Sequence, residues 1–240
     1  AGKSTLLLHL NGLLTPSSGQ VRVGDIPVTP KTVARVRESV GMVFQQAEDQ
    51  LFMPTVREDV AFGPLNMGLP PEEIRRRVEQ ALREVHAEAL ADKMTHHLSG
   101  GEKRAVSIAT VLSMSPDILV LDEPTAALSV MQSAEVLAYI KRLRSEGRSV
   151  VMVCHDLPDV FAVSDRIVVI RQGHVTGVHR TVETSYEEII AEIAGVTTEH
   201  EYEEIAENPK FDSMVRQRKL IDRTISAAVS HGTGHDSPLD

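Results

Sequence analysis

The stretch Ile118-Leu119-Val120-Leu121 constrains the fold of this 240-residue chain more than any other. Four apolar residues in a row, with no alternation, leave no face for water, so the run reads as a strand buried on both faces, inside a parallel sheet covered by helices. Val40-Gly41-Met42-Val43-Phe44 and Val150-Val151-Met152-Val153-Cys154 have the same character and should also be buried strands. Helical patterns lie between the three, which predicts an α/β class with a mostly parallel sheet. Each run delivers polar residues at its C-terminal end: Gln45, the pair Asp122-Glu123, and His155. Open parallel sheets place their ligands at that end of the strands.

The chain opens on Gly2-Lys3-Ser4-Thr5, followed by Leu6, Leu7, Leu8, Leu10, Leu13 and Leu14, a pattern that reads as a loop entering a buried helix. It matches the back half of the phosphate-binding loop G-x-x-x-x-G-K-[ST], whose first glycine would lie upstream, so the chain is expected to be truncated. Gly-Lys-Ser/Thr alone should occur by chance in roughly one chain in ten of this size, and its place at a helix start strengthens it. In that reading backbone amides cradle phosphates, Lys3 contacts the terminal ones, and the Ser4 hydroxyl sits on Mg²⁺. Adjacent carboxylates ending a buried strand are costly without a cation or partner. Asp122 is therefore assigned to Mg²⁺, directly or through water, and Glu123 to orienting and polarising an attacking water. A solvated strand end is the alternative.

Leu98-Ser99-Gly100-Gly101-Glu102 precedes an apolar helical run from Ala105 to Leu112. Ser99 with Glu102 forms a capping box, yet a helix that keeps two glycines in its first turn forgoes roughly 1 kcal/mol each relative to alanine. The expected gain is bare backbone amide at a helix N-terminus, a site for a phosphate. Thr55 with Glu58 forms a second capping box for a helix to about Met67, and Pro70-Pro71-Glu72-Glu73 starts another, with Ile74, Val78, Ala81, Leu82 and Val85 on one face. Ser115-Pro116 should stop the helix after Leu112. A small hairpin-like β region is expected around Gln20 to Val23, a short helix over Lys31 to Ser39, an amphipathic helix over Val130 to Arg144, and a terminal hairpin turning at Gln172-Gly173.

Composition excludes several classes. No segment approaches the roughly 18 apolar residues that span a membrane, and no secretory signal opens the chain. A net charge of -9 disfavours non-specific adhesion to nucleic acid. The single cysteine, Cys154, forbids an internal disulfide, fits a reducing cytoplasm and reads as core. The ten histidines lack metal-ligand spacing, and His96-His97 reads as solvated. From Thr181 the character changes: Tyr186 to Ala194 reads as a helix, Glu199 to Glu207 as an acidic solvated run, Phe211 to Val229 as broken helical periodicity, and His231 to Asp240 as disordered.

Taken together, Gly2-Lys3-Ser4-Thr5, Gln45, Leu98 to Glu102, Ile118 to Glu123 and His155 resemble, in order and spacing, an ATP-binding-cassette (ABC) ATPase over residues 1 to about 180. Phe44-Gln45, Glu48 to Phe52, Asp59 to Leu65 and His97 to Lys103 further resemble the energy-coupling-factor branch, in particular the cobalt-type importers. The resemblance implies a P-loop NTPase (RecA-like) fold, with a mostly parallel sheet, a small antiparallel β region and a helical subdomain inserted at about 50–113. Residues 181–240 would be a helical and acidic tail.

It also implies ATP and Mg²⁺ as ligands and two ATPase subunits, identical or different, packed head to tail around two ATP molecules. Gly2, Lys3, Ser4 and Thr5 would hold this chain's own ATP, while Ser99, Gly100, Gly101 and Glu102 would meet the one bound by the partner. Asp122, Ser4 and Gln45 would serve the metal. Gln45 would sense the γ-phosphate and pass closure to a transmembrane coupling subunit beside the helical block, and His155 would stabilise the γ-phosphate and attacking water beside Glu123. A substrate-binding membrane subunit would complete an importer for cobalt, another transition-metal ion or a vitamin, at the cytoplasmic face of the cell membrane and without nucleic acid. The alternative, a soluble cassette acting on nucleic acid or ribosomes, is disfavoured because only 53 positions separate Gln45 from Leu98, too few for a long coiled-coil insertion. A P-loop kinase would have no reason to keep Leu98 to Glu102.

Two departures stand out. Ser129 and Ala127 stand where the family usually has aspartate and glycine, which should weaken hydrolysis or coupling between sites. The absent first strand, adenine-stacking aromatic and front half of the phosphate loop should make the 240 residues alone bind ATP poorly.

Overall fold

The computed structural model describes residues 2–46 and 49–196. They form two compact units, one of Ser4–Val153 and the other of Gly2, Lys3 and the residues from Cys154 onward.

The larger unit is built on a parallel sheet of β3 (Val40–Val43), β4 (Ile118–Asp122) and β5 (Ser149–Val153), in that order, with Val40 opposite Ile118 and Ile118 opposite Ser149. β3 is buried throughout and β4 from Leu119 onward, as continuous apolar strands require. β5 departs from expectation: it is a strand, but Val151 is 40% exposed, because β5 lies at the end of the described sheet and has one strand neighbour. Cys154 falls just past β5 and is half-buried, so the core reading of that residue does not hold.

On one face of the sheet, α1 (Lys3–Leu10) and α2 (Val33–Ser39) contribute Leu7 and Val36 to a core with Val40, Met42 and Val120. Of the leucines that were to bury α1, only Leu7 is fully inside. Leu6, Leu13 and Leu14 are exposed, since a helix lying on a sheet buries a single stripe. The small antiparallel pair β1 (Arg22–Val23) and β2 (Ile26–Pro27) borders this core through Val23 and Ile26.

A helical block follows, made of α3 (Val56–Asn66), α4 (Pro71–Glu84) and α5 (Gly100–Leu112), which pack on one another, with α5 also against β3. Both expected capping boxes are present, Thr55 with Glu58 and Ser99 with Glu102. α3 contains Gly63-Pro64 in its interior. Pro64 has no N–H for the carbonyl of Val60, and the Ser113 hydroxyl at the end of α5 donates to that oxygen instead, at 2.8 Å. Gly63 lets the Met114 side chain come so close that a Cβ would collide with it. The two residues that would weaken an isolated helix thus become its docking point on α5, which ends at Leu112, three residues before Ser115-Pro116.

Asp59 of α3 is buried and accepts the Met53 N–H at 3.2 Å. Burial pushes its carboxyl up to about 6 against those backbone donors. A raised folded pKa favours the protonated form in the native state, so this stability is fully present below the unfolded value of about 3.9 and lost as pH climbs through about 6, some 3 kcal/mol in all. Asp59→Asn should flatten the fall in stability between about pH 4 and pH 7 by most of that amount. Urea denaturation at the two pH values measures it, and an unchanged difference would place the titration elsewhere.

In the second unit, α7 (Leu157–Val163), the antiparallel hairpin β6 (Arg166–Arg171) and β7 (His174–Arg180), and α8 (Tyr186–Ala194) share a core of Leu157, Phe161, Ile167, Val169, Tyr186 and Ile189. Gln172 and Gly173 both take positive φ, 49° and 81°, the two-residue hairpin turn expected there. α8 matches the predicted span and carries its own capping box, Ser185 with Glu188. The expectations for Glu199 to Glu207, Phe211 to Val229 and His231 to Asp240 lie outside the described residues.

Candidate nucleotide site

In the larger unit, Gln45 follows β3, Asp122 ends β4, and Glu123 is the next residue. Among the described residues β3 has one strand neighbour, and Gln50 closes its end: its Oε1 accepts the Phe44 N–H at 2.9 Å while its Nε2 donates to the Met42 carbonyl at 3.1 Å. The Gln45 side chain projects from this braced edge and is exposed.

Asp122 is 8% exposed, and its Oδ1 is buried with no hydrogen-bond partner among the described residues. Such an acceptor is costly unless something binds it, and a carboxylate oxygen suits Mg²⁺ or one of its waters. The donor set therefore fits the metal that the sequence implies. Glu123 takes φ 48°, a left-handed conformation rare outside glycine and typical of strained functional turns. Its N–H donates to the Val153 carbonyl at 2.9 Å, and its own carbonyl accepts from Ala126 at 3.1 Å. Ala127 is left-handed too, at φ 60°. The turn leads to Ser129, which caps α6 (Val130–Ser145) in a box with Gln132. The serine that departs from the family pattern is thus the helix cap.

At the start of α5, Glu102 accepts the Ser99 N–H at 2.7 Å and the Lys93 ammonium at 2.9 Å. The Ser99 backbone, Lys93 and the Ser99 hydroxyl hold its carboxyl down at about 2. The box uses the amides of Ser99 and Glu102, whereas those of Gly100 and Gly101, in the first turn, have no acceptor within the helix. The two glycines then differ. Nothing lies within 4 Å of a Cβ built on Gly100, but one on Gly101 would collide with the Gln132 carboxamide. Gly100 is thus open on its outer side, while Gly101 faces the end of the Gln132 side chain on the next helix.

Ser4 and Thr5, in the first turn of α1, are exposed. Gly2 takes φ 94°, a conformation suited to glycine. Gly2, Lys3 and His155 belong to the second unit, where His155 is exposed between β5 and α7.

The residue that sequence reasoning passed over is Arg104, 3% exposed on α5. Its Nη1 donates to the Phe44 carbonyl at 2.7 Å, and its Nη2 donates to the carbonyls of Gln45 and, at 3.5 Å, Glu123. Burial pushes its pKa down and the charge of Asp122 opposes that shift. The signal was an arginine four positions after Gly100, on the side of the helix shared by the buried Ile108 and Val111.

The family model described as "ABC transporter" matches residues 1–126. A putative ABC transporter ATP-binding protein of Geobacter sulfurreducens is 55% identical over 175 residues, which are 73% of this chain and 69% of the relative. The energy-coupling factor transporter ATP-binding protein EcfA of Methanoculleus marisnigri is 48% identical over 178 residues, 74% of this chain and 64% of the relative. The chain thus spans about two thirds of the length of these relatives. Among solved structures, CbiO1 of Clostridium perfringens, described as part of the ABC transporter complex CbiONQ, superposes with a TM-score of 0.72 at 38% identity, covering 85% of this chain and 83% of that one. With a family model matching more than half its length and relatives this similar, the chain belongs to the ABC transporter family of ATP-binding proteins.

Proposed function

We propose that the chain is the ATP-hydrolysing subunit of an energy-coupling-factor ABC importer, working as one half of an ATPase dimer beneath membrane subunits that carry cobalt, another transition-metal ion or a vitamin. The observation that carries the ATPase half of this reading is the convergence of Gln45, Asp122 and Glu123 on strand ends joined by Arg104. Gly2, Lys3, Ser4 and Thr5 bind the phosphates of ATP. Asp122 and Ser4, with Gln45, would hold Mg²⁺, which when bound neutralises charge on the β- and γ-phosphates. Glu123 orients the attacking water and draws on its proton, and His155 donates a hydrogen bond toward the γ-phosphate. At the helix start that Ser99 caps, the amides of Gly100 and Gly101 present open donors to the ATP held by a second subunit. Closure is a population shift, because ATP favours the closed dimer and its hydrolysis removes that preference.

The importer half is supported by the identity to EcfA and by a cleft of about 500 Å³ in the larger unit. Met42, Phe44, Phe52, Phe62, Met67 and Met114 line it, directly beside the segment that follows Gln45. An apolar cleft there suits a helix of a transmembrane coupling subunit, holding this chain at the cytoplasmic membrane face. Affinity purification of the full-length subunit from detergent-solubilised membranes should bring down a multispanning membrane protein and a second ATPase chain in stoichiometric amounts. Recovery with ribosomes or DNA instead would overturn the importer reading in favour of a soluble cassette.

A further inference from the structure

Arg104 is buried on α5, yet among the described residues every hydrogen bond its guanidinium makes goes to a main-chain carbonyl, and those carbonyls follow two different strands. Phe44 and Gln45 leave β3, and Glu123 leaves β4. An apolar side chain would stabilise that position as well or better than a buried charge. What an arginine adds is a rigid planar fork whose donors fix the relative positions of three acceptors. α5 also begins at Gly100, just after the Ser99 cap, so one rigid helix carries the open amides of Gly100 and Gly101 at one end and the fork one turn further on.

Resting on the ATPase reading above, we propose that Arg104 is a positioning residue that couples the two ATP sites of the dimer. Seating of Ser99-Gly100 on the partner's ATP shifts α5, and Arg104 carries the shift into the backbone of Gln45 and Glu123 in this chain's own site. The coupling runs in both directions, as any linkage between binding sites must. Phosphate contacts of Lys3, Ser4 and Thr5 are untouched, so ATP affinity and turnover should separate.

The test uses the full-length subunit in its membrane complex, with Arg104→Met and Arg104→Lys. Expected in both variants is an ATP dissociation constant, read with a fluorescent ATP analogue, within about twofold of wild type, with turnover per bound ATP reduced about tenfold or more. The Hill coefficient for ATP should fall toward unity. Lysine should not rescue, because a single ammonium cannot span three carbonyls on two strands. Should Arg104→Met fail to fold, Arg104→Lys, which keeps the charge and most of the length, decides the matter. Unchanged turnover and cooperativity, recovery of both by lysine, or loss of ATP affinity in parallel with turnover would each overturn the proposal while leaving the ATPase reading in place. A wild-type complex that does not hydrolyse ATP would remove that reading and the proposal with it.

Discussion

Glu123→Gln in the full-length subunit is expected to cut ATP turnover by about 10²- to 10⁴-fold, the usual contribution of a positioned general base, and to leave ATP trapped in a closed dimer. The main chain of Glu123 donates to the Val153 carbonyl and receives the N–H of Ala126 and the guanidinium of Arg104. Glutamine keeps that backbone and the side-chain shape while proton acceptance at the water is lost. Turnover by phosphate release and mass by light scattering with and without ATP report the two effects separately. Wild-type turnover in the variant would refute the role given to Glu123.

Asp122→Asn should act on both metal and structure. Replacing the carboxylate removes the negative charge that the buried Oδ1 offers a cation, and several kcal/mol of charge stabilisation, equivalent to at least about 10²-fold in rate, should go with it. The same charge favours the ionised form of Arg104. Without it, a buried guanidinium keeps only neutral carbonyl partners, and we expect a stability loss of about 1–3 kcal/mol. A Mg²⁺ titration of turnover should shift to higher concentration, and the urea midpoint should fall. If the Mg²⁺ midpoint stayed at the wild-type value, the metal would have to be held without Asp122.

These predictions draw on residues of two kinds. Asp122, Glu123 and Gln45 could be found from the chain alone because each follows an uninterrupted apolar run, and such a run places its C-terminal end at the ligand side of a parallel sheet. The burial of Arg104 is legible from its place on the helix, but its partners, and those of Gln50 and Gln132, are not: Arg104 meets carbonyls some 60 positions away, and Gln132 meets Gly101. Gln50 is only six positions from Phe44, but its task exists only because β3 is an edge strand among the described residues. An apolar run does not by itself bury a strand. Val150 to Cys154 form a strand, as their β-branched side chains favour, but their exposure depends on the neighbours they have.

What the sequence alone determined was local: three strands, the capping boxes at Thr55 and Ser99, the Gln172-Gly173 turn and the carboxylates at the end of β4. Each of these follows from interactions within a few residues, which any conformation of the chain carries with it. Tertiary structure decided that Pro64 would be compensated by Ser113, that Gly101 would be covered and Gly100 open, and that one arginine would join the helix start to two strand ends. Those outcomes need long loops to be closed first, and only the assembled packing supplies the partners that make them favourable.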